Sequence, residues 1–253
     1  MLNDQTFDKL SYMKLRGMAT AFRHQMEDSV MDTLSFEERF GLLVDAEYAK
    51  RRNTLLQRLL TKATFKDNSA CLENIEYHED RMLDRGLLAR LSSCTYIEEH
   101  RDIAIMGATG AGKTYIGCAL GNAACRKFIP VKYIRLPELL VDLCIARGEG
   151  SYKKIMAQYR KYALLILDEW LLTPLSADAA RDLHEIIESR HENASTIFLS
   201  QFSVAGWHER LGEGTVADAV LDRIKHNCYE IVIEGKDSMR KRKSFKKAAP
   251  QTE

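Results

Sequence analysis

Eight consecutive residues, Gly107, Ala108, Thr109, Gly110, Ala111, Gly112, Lys113 and Thr114, match G-x-x-x-x-G-K-[ST] at every fixed position. A glycine-rich turn of this length points successive backbone N–H groups at one place, where they can cradle phosphate oxygens. A lysine beside it reaches the β- and γ-phosphates, and the following hydroxyl can hold Mg²⁺. The loop needs a strand before it and a helix after it. Asp102–Met106 is a short apolar run suited to a buried strand. Tyr115 to Phe128 places Ile116, Leu120, Ala123 and Ala124 at helical spacing. Residues 107–115, Tyr115 included, are therefore expected to contact a nucleoside triphosphate, with ATP and Mg²⁺ as the ligands.

A second run, Ala163-Leu-Leu-Ile-Leu-Asp168-Glu169, is an apolar strand ending in two carboxylates. Beside a phosphate-binding loop, Asp168 would hold Mg²⁺ through water, next to the Thr114 hydroxyl. Glu169 would polarise the attacking water. That adjacency suits ATP hydrolysis, because a small-molecule kinase needs no water activator. Thr196-Ile-Phe-Leu-Ser200-Gln201 is the next strand. Its polar end makes Ser200 and Gln201 candidates for orienting the water, since open α/β sheets bind ligands at the carboxyl ends of their strands.

These residues need a scaffold. Strand-like runs at Ile103–Met106, Val131–Ile134, Ala163–Leu167, Thr196–Leu199 and Tyr229–Ile233 alternate with helical stretches near 115–128, 137–147, 152–161 and 177–192. Such alternation predicts a parallel sheet flanked by helices on both faces, an α/β fold. Upstream, Thr6–Met26 is consistent with one helix. Ser35-Phe-Glu-Glu38 is a capping box opening a second, whose apolar residues from Phe36 to Leu60 keep helical spacing. So small a helical hairpin cannot bury its apolar stripe alone, so it should pack on the main domain or on another subunit. We expect residues 1–66 to form an N-terminal helical oligomerisation or interaction domain, 67–243 the ATPase core and 244–253 a basic, polar tail.

Composition bounds the partners. The 253 residues carry 45% hydrophobic and 29% charged side chains and a net charge of +1. Any nucleic-acid surface must then be local rather than a global field. The candidates are Lys153, Lys154, Arg160 and Lys161 before the Asp168 strand, Lys50-Arg-Arg52, and the basic end that contains Lys246 and Lys247. Each could equally be a solvated helix face or a solubilising terminus. The six cysteines lack C-x-x-C spacing and are read as reduced thiols. No apolar stretch approaches a membrane span, and the first residues lack a signal-peptide layout, so a cytoplasmic location is expected.

From about Cys71 to Lys243 the chain resembles the IstB/DnaC group of AAA+ ATPases, and most of all the IstB-like helper ATPases of insertion sequences. The matching segments are CLENIEY, LDRGLLARLSSCTYI, GATGAGKTYIGCALGNAACR, LLILDE, STIFLSQF, VAGWHERLGEGTVADAVLDRIKHN and DSMRKRK. The resemblance implies a P-loop AAA+ core. Arg223 would act as an arginine finger toward ATP held by a neighbouring subunit, and Arg240 as a sensor touching the γ-phosphate in its own. Ser200 or Gln201 falls at a further sensor position. One departure is local: many relatives read Asp-Asp, an aromatic and Gly where this chain reads Asp168-Glu169-Trp170-Leu171, so the loop should be stiffer.

The activity so implied is that of an ATP-dependent, DNA-binding helper of DNA transposition. It would assemble as an ATP-linked homo-oligomer on duplex DNA, remodel it, and stimulate a partner transposase. The alternatives are a DnaC-like replicative helicase loader, which shares the core, and a small-molecule kinase with a P-loop.

Overall fold

The computed structural model describes residues 2–212, 214–235, 238, 239, 241 and 242. The chain divides into two compact units after Arg58, within a long helix.

The first unit holds α1 (Leu2–Tyr12), α2 (Arg16–Glu27) and the start of α3 (Phe36–Ala63). The single helix expected over Thr6–Met26 is broken between Tyr12 and Arg16, where Lys14 takes a left-handed φ of 61°. The reason is tertiary. The Glu47 carboxylate on α3 accepts the backbone N–H groups of Gly17 (2.7 Å) and Met18 (3.2 Å), satisfying orphan donors at the start of α2. A Cβ at Gly17 would lie 2.7 Å from the Ala46 carbonyl oxygen, so only glycine permits this approach. The capping box forms as read: Ser35 N–H donates to Glu38 Oε2 at 2.8 Å, and Glu38 N–H to Ser35 Oγ at 3.3 Å.

The second unit continues through α4 (Arg85–Ser92) and α5 (Thr95–Glu98) to β1 (Asp102–Gly107), α6 (Lys113–Arg126) and β2 (Val131–Arg135). Next come α7 (Leu136–Gly148), α8 (Tyr152–Lys161), β3 (Leu164–Trp170), α9 (Ala177–Arg190) and β4 (Ser195–Ser200). The unit closes with α10 (Trp207–Arg210), α11 (Thr215–Lys225) and β5 (Cys228–Ile233). The five strands form one parallel sheet in the order β2-β3-β4-β1-β5, as expected of an α/β fold. Chain order reverses around β1, which makes its carboxyl end the switch point where such sheets bind ligands. β1 and β4 are buried almost throughout, as strands covered on both faces must be.

Helix α6 lies close on the sheet because it carries glycine at two successive turns. A Cβ at Gly117 would meet Leu199 at 2.9 Å, and one at Gly121 would meet Phe65 at 2.4 Å and Ile166 at 2.9 Å. On another face, Leu165, Leu167, Trp170, Phe198 and Trp207 join one core with α7, α9 and α11. All six cysteines are free, and Cys94, Cys118 and Cys125 are buried. No helix among the described residues is long and apolar enough to cross a membrane.

β3 runs past the apolar stretch that ends at Leu167 to Trp170, and the two carboxylates of this extension belong to the site. In the β3–β4 ladder Leu167 pairs with Phe198 but Trp170 with Ser200, so three steps on β3 oppose two on β4. The extra residue is a bulge, with Glu169 at φ 56°. Bulges re-aim side chains, and this one restores Trp170 to the core face of Leu165 and Leu167 while Asp168 and Glu169 leave the alternation. Leu171, where many relatives are expected to carry glycine, also holds a left-handed φ of 52°. That conformation strains a non-glycine residue by about 1–2 kcal/mol, which the fully buried packing of Leu171 holds in place.

Candidate functional site

The glycine loop leaves β1 at Gly107 and enters α6 at Lys113. Gly110 (φ 83°) and Gly112 (φ 97°) take the left-handed turns that make its curvature. The Lys113 ammonium donates to the carbonyls of Gly107 (2.7 Å) and Ala108 (2.9 Å), folding over the loop from inside. Burial pulls its pKa below the ordinary lysine range, and the Asp168 charge partly opposes that shift. A buried ammonium held only by carbonyls is poised to exchange them for phosphate oxygens.

Thr114 and Asp168 meet directly: the threonine hydroxyl donates to Asp168 Oδ2 at 2.7 Å. Tyr133, on β2, donates its phenol to the same oxygen at 2.7 Å, and the Glu169 N–H donates to Oδ1 at 2.7 Å. Three donors meet on a carboxylate that is only 4% exposed. Burial, and then the Asp168 carboxylate, push the Tyr133 phenol well above its usual pKa, so it remains a donor. Thr114 and Asp168 present hard oxygen ligands at one point. That donor set suits Mg²⁺, which takes few protein ligands and keeps several waters.

Glu169 lies beside this cluster, half-buried, with Arg135 Nη1 3.5 Å from its Oε1. Arg135 is held in turn by Glu138 at 2.6 Å. Tyr133 and Arg135 reach the site because β2 pairs with β3 in a register that sets Tyr133 opposite Ile166 and Arg135 opposite Asp168. Neither was singled out in the sequence. A polar residue at the carboxyl end of the strand neighbouring the Asp-Glu strand was the only local signal for them.

The two candidates at the end of β4 part company. The Gln201 side chain accepts the Thr109 hydroxyl at 2.8 Å, which puts it against the glycine loop. Ser200 is fully buried and faces elsewhere. Its hydroxyl donates to the Trp170 carbonyl (3.2 Å) and accepts from Trp207 Nε1 (3.0 Å) and the Phe202 N–H (3.1 Å). It ties the end of β4 to the turn after Glu169, with Trp170, Phe198 and Trp207 packed as one aromatic cluster. The strand's end accounts for the split: Ser200 is the last residue of β4 and is buried, whereas Gln201 lies past the strand and is exposed.

A cavity of about 260 Å³ opens beside the loop. Its lining includes Lys113, Thr114 and Tyr115, together with Asn74, Ile75 and Arg81 from the segment before α4. Arg81 is only 4% exposed. Its Nη2 donates to the Ala111 carbonyl at 2.8 Å and its Nη1 to the Glu76 carbonyl, so it clamps that segment to the glycine loop. Burial, and then the nearby Arg242, lower its pKa. Sequence reading missed Arg81, an arginine in a stretch with no motif of its own. The C-terminal segment returns to the same place: Met239 N–H donates to the Gly110 carbonyl at 2.9 Å, and Arg242 pairs with Asp80. Arg240, between them, lies outside the described residues, as do Lys246 and Lys247.

Arg223 does not line this cavity. It projects from α11 to an ion pair with Glu188 on α9 and donates to the Ala219 carbonyl at 2.8 Å. Of the basic candidates on α8, Lys153, Lys154 and Lys161 are exposed, and Arg160 sits 3.9 Å from Glu185. In the first unit, Arg51 is held by Glu47 at 2.7 Å and Arg52 by the Tyr48 hydroxyl at 2.7 Å, while Lys50 is exposed.

The fold is shared with solved structures of replication proteins. DnaI aligns with a TM-score of 0.58 at 21% identity, covering 70% of this chain and 93% of that one. The DnaC helicase loader aligns with a TM-score of 0.55 at 22% identity, covering 65% of this chain and 97% of that one. Among sequences, an insertion sequence ATP-binding protein of Sinorhizobium fredii is 41% identical over 241 residues, 95% of this chain and 98% of that one. The insertion sequence IS1162 ATP-binding protein of Pseudomonas fluorescens is also 41% identical, over 79% of this chain and 87% of its own length. The family model described as IstB-like ATP binding protein matches residues 8–247. With a phosphate-binding loop, an adjoining Asp-Glu pair and the AAA+ sheet order on one scaffold, the chain belongs to the IstB-like ATP-binding protein family and is an ATPase.

Proposed function

We propose that this ATPase serves a DNA transposase: it assembles on duplex target DNA as an ATP-linked oligomer, remodels that DNA and stimulates the partner enzyme. The observation that carries the reading is the hydrogen bond from Thr114 to Asp168 with Glu169 beside it, a constellation suited to hydrolysis and not only to binding. The names of the relatives tie them to insertion sequences, whose movement requires a transposase. The helicase-loader alternative has only fold likeness behind it.

In this reading the loop N–H groups and Lys113 hold the phosphates, and Thr114 with Asp168 hold Mg²⁺. Mg²⁺ held there would supply positive charge to the phosphate oxygens. Glu169 accepts a proton from the attacking water, and Gln201, steadied by Thr109, helps to orient it. Arg240 senses the γ-phosphate held in its own subunit. Arg223, remote from its own cavity, supplies charge to the next subunit's ATP, so hydrolysis waits for assembly.

Residues 1–66 would carry interactions between chains. Their helices leave Val30, Phe36, Phe40, Tyr48 and Leu55 exposed, more apolar surface than so small a unit needs to show.

Arg223→Ala should leave nucleotide binding intact and abolish most turnover, since arginine fingers contribute about 10³–10⁵ in rate. Mixed with Lys113→Ala subunits it should regain partial activity, because the lysine variant lends Arg223 to an intact loop. No recovery at any ratio, with mixed assembly verified by crosslinking, would count against action in trans.

Duplex binding should require ATP, show little sequence preference and weaken steeply with salt. Each neutralised phosphate adds about −0.9 to the slope of log affinity against log salt. Paired changes of Lys153 and Lys154, or of Lys246 and Lys247, to Ala should flatten that slope when measured with a non-hydrolysable ATP analogue. An unchanged slope in both pairs would rule out these surfaces. Equal binding by the wild type without nucleotide would sink the assembly-gated mechanism.

A further inference from the structure

Tyr133 is a buried side chain that the activity described so far leaves unused, although its hydroxyl points at the carboxylate in the middle of the site. It is 5% exposed, on β2, and reaches Asp168 Oδ2 at 2.7 Å. Its backbone lies in β2, paired with β3 at Ile166, which sets the direction of the ring.

The lone pairs of Asp168 can be counted. A carboxylate offers about four acceptor sites, two on each oxygen. On Oδ2 both are taken, by the hydroxyls of Tyr133 and Thr114. On Oδ1 one is taken, by the Glu169 N–H. A single lone pair remains, on Oδ1. A phenol facing an ionised carboxylate can only donate, and Thr114 is free to offer its oxygen lone pairs elsewhere because its proton is committed to Oδ2.

We propose that Tyr133 is a positioning residue for Mg²⁺: by filling Oδ2 alongside Thr114, it fixes the Asp168 carboxylate and leaves one Oδ1 lone pair to serve the ion. The inference rests on the reading that Thr114 and Asp168 hold Mg²⁺. It follows that the site favours an ion that keeps its waters. Mg²⁺ dehydrates reluctantly and demands near-octahedral geometry, whereas Mn²⁺ gives up water more readily and can take a carboxylate oxygen directly. Without the phenol, one Oδ2 lone pair is released, the carboxylate can rotate, and an ion that gives up water more readily would lose less by the change.

The test titrates MgCl₂ and MnCl₂ against binding of a fluorescent, non-hydrolysable ATP analogue to the full chain, with EDTA as the metal-free baseline. Tyr133→Phe keeps the ring and removes only the hydroxyl. Its affinity in EDTA should equal that of the wild type, which also certifies the fold. In Mg²⁺ its nucleotide affinity should fall about 10-fold, the lower end of what outer-shell partners of a metal contribute. In Mn²⁺ the loss should be markedly smaller. Equal affinity of the variant and the wild type in Mg²⁺ would overturn the proposal, as would the same loss in EDTA, Mg²⁺ and Mn²⁺. Asp168→Asn and Thr114→Ala, run in parallel, separate the two levels. If these lose Mg²⁺ dependence and Tyr133→Phe does not, Tyr133 alone is misassigned. If the wild type itself shows no Mg²⁺ dependence, the metal reading falls and takes the proposal with it.

Discussion

Lys113→Ala is expected to lose ATP binding by a factor of roughly 10² or more. Removing one partner of a buried charge pair costs about 3–5 kcal/mol, and each 1.4 kcal/mol is tenfold in affinity. The protein without nucleotide should fold normally. The carbonyls that Lys113 caps, those of Gly107 and Ala108, belong to a loop that is partly open to water, so solvent can replace the lost donor. The difference therefore appears only when ATP is added. A ligand at about 100 times its Kd stabilises the folded state by about 2.7 kcal/mol, which should raise the melting temperature of a unit this size by roughly 5–10 °C. Wild type should show that rise and Lys113→Ala should not. A variant that melts higher with ATP to the same extent as wild type would remove the glycine loop from the binding site.

Glu169→Gln should bind ATP as the wild type does and turn it over about 10²–10⁴-fold more slowly, the usual contribution of a positioned general base. The substitution is nearly isosteric, and the contact Glu169 makes with Asp168 comes from its backbone N–H, which glutamine retains. Asp168 thus keeps all three donors and the phosphate loop is untouched. The left-handed backbone at 169 is set by the bulge in β3 and should persist. What changes is the proton acceptor beside the γ-phosphate and the charge opposite Arg135. Phosphate release under saturating ATP, with affinity measured separately, reads the two effects apart. If ATP holds the oligomer on DNA, the variant should also stay on duplex DNA longer than wild type. Turnover within threefold of wild type would mean that another group activates the water.

The parts of this protein that the sequence determined are those whose physics is local. The glycine loop needs two glycines and a lysine at fixed spacing, and those residues curve the backbone whatever surrounds them. The alternation of apolar runs with helical periodicity fixed a parallel sheet, because only that arrangement buries both faces of such strands. The capping box at Ser35 and Glu38 closes within one helical turn and was readable for the same reason. Tertiary structure decided everything that depends on register or on partners distant in the chain. The break between α1 and α2 is enforced by Glu47, thirty residues from Gly17. Gln201 reaches Thr109 while Ser200 turns to Trp207, because β4 ends between them, a boundary that an apolar run ending in two polar residues leaves open. Arg81 clamps the glycine loop from a segment without periodicity. Tyr133 and Arg135 enter the site only because β2 pairs with β3 at one register, and a one-residue slip would turn both away. The bulge at Asp168 and Glu169 arises where Trp170 must return to the core, so packing at one residue aims the two carboxylates before it.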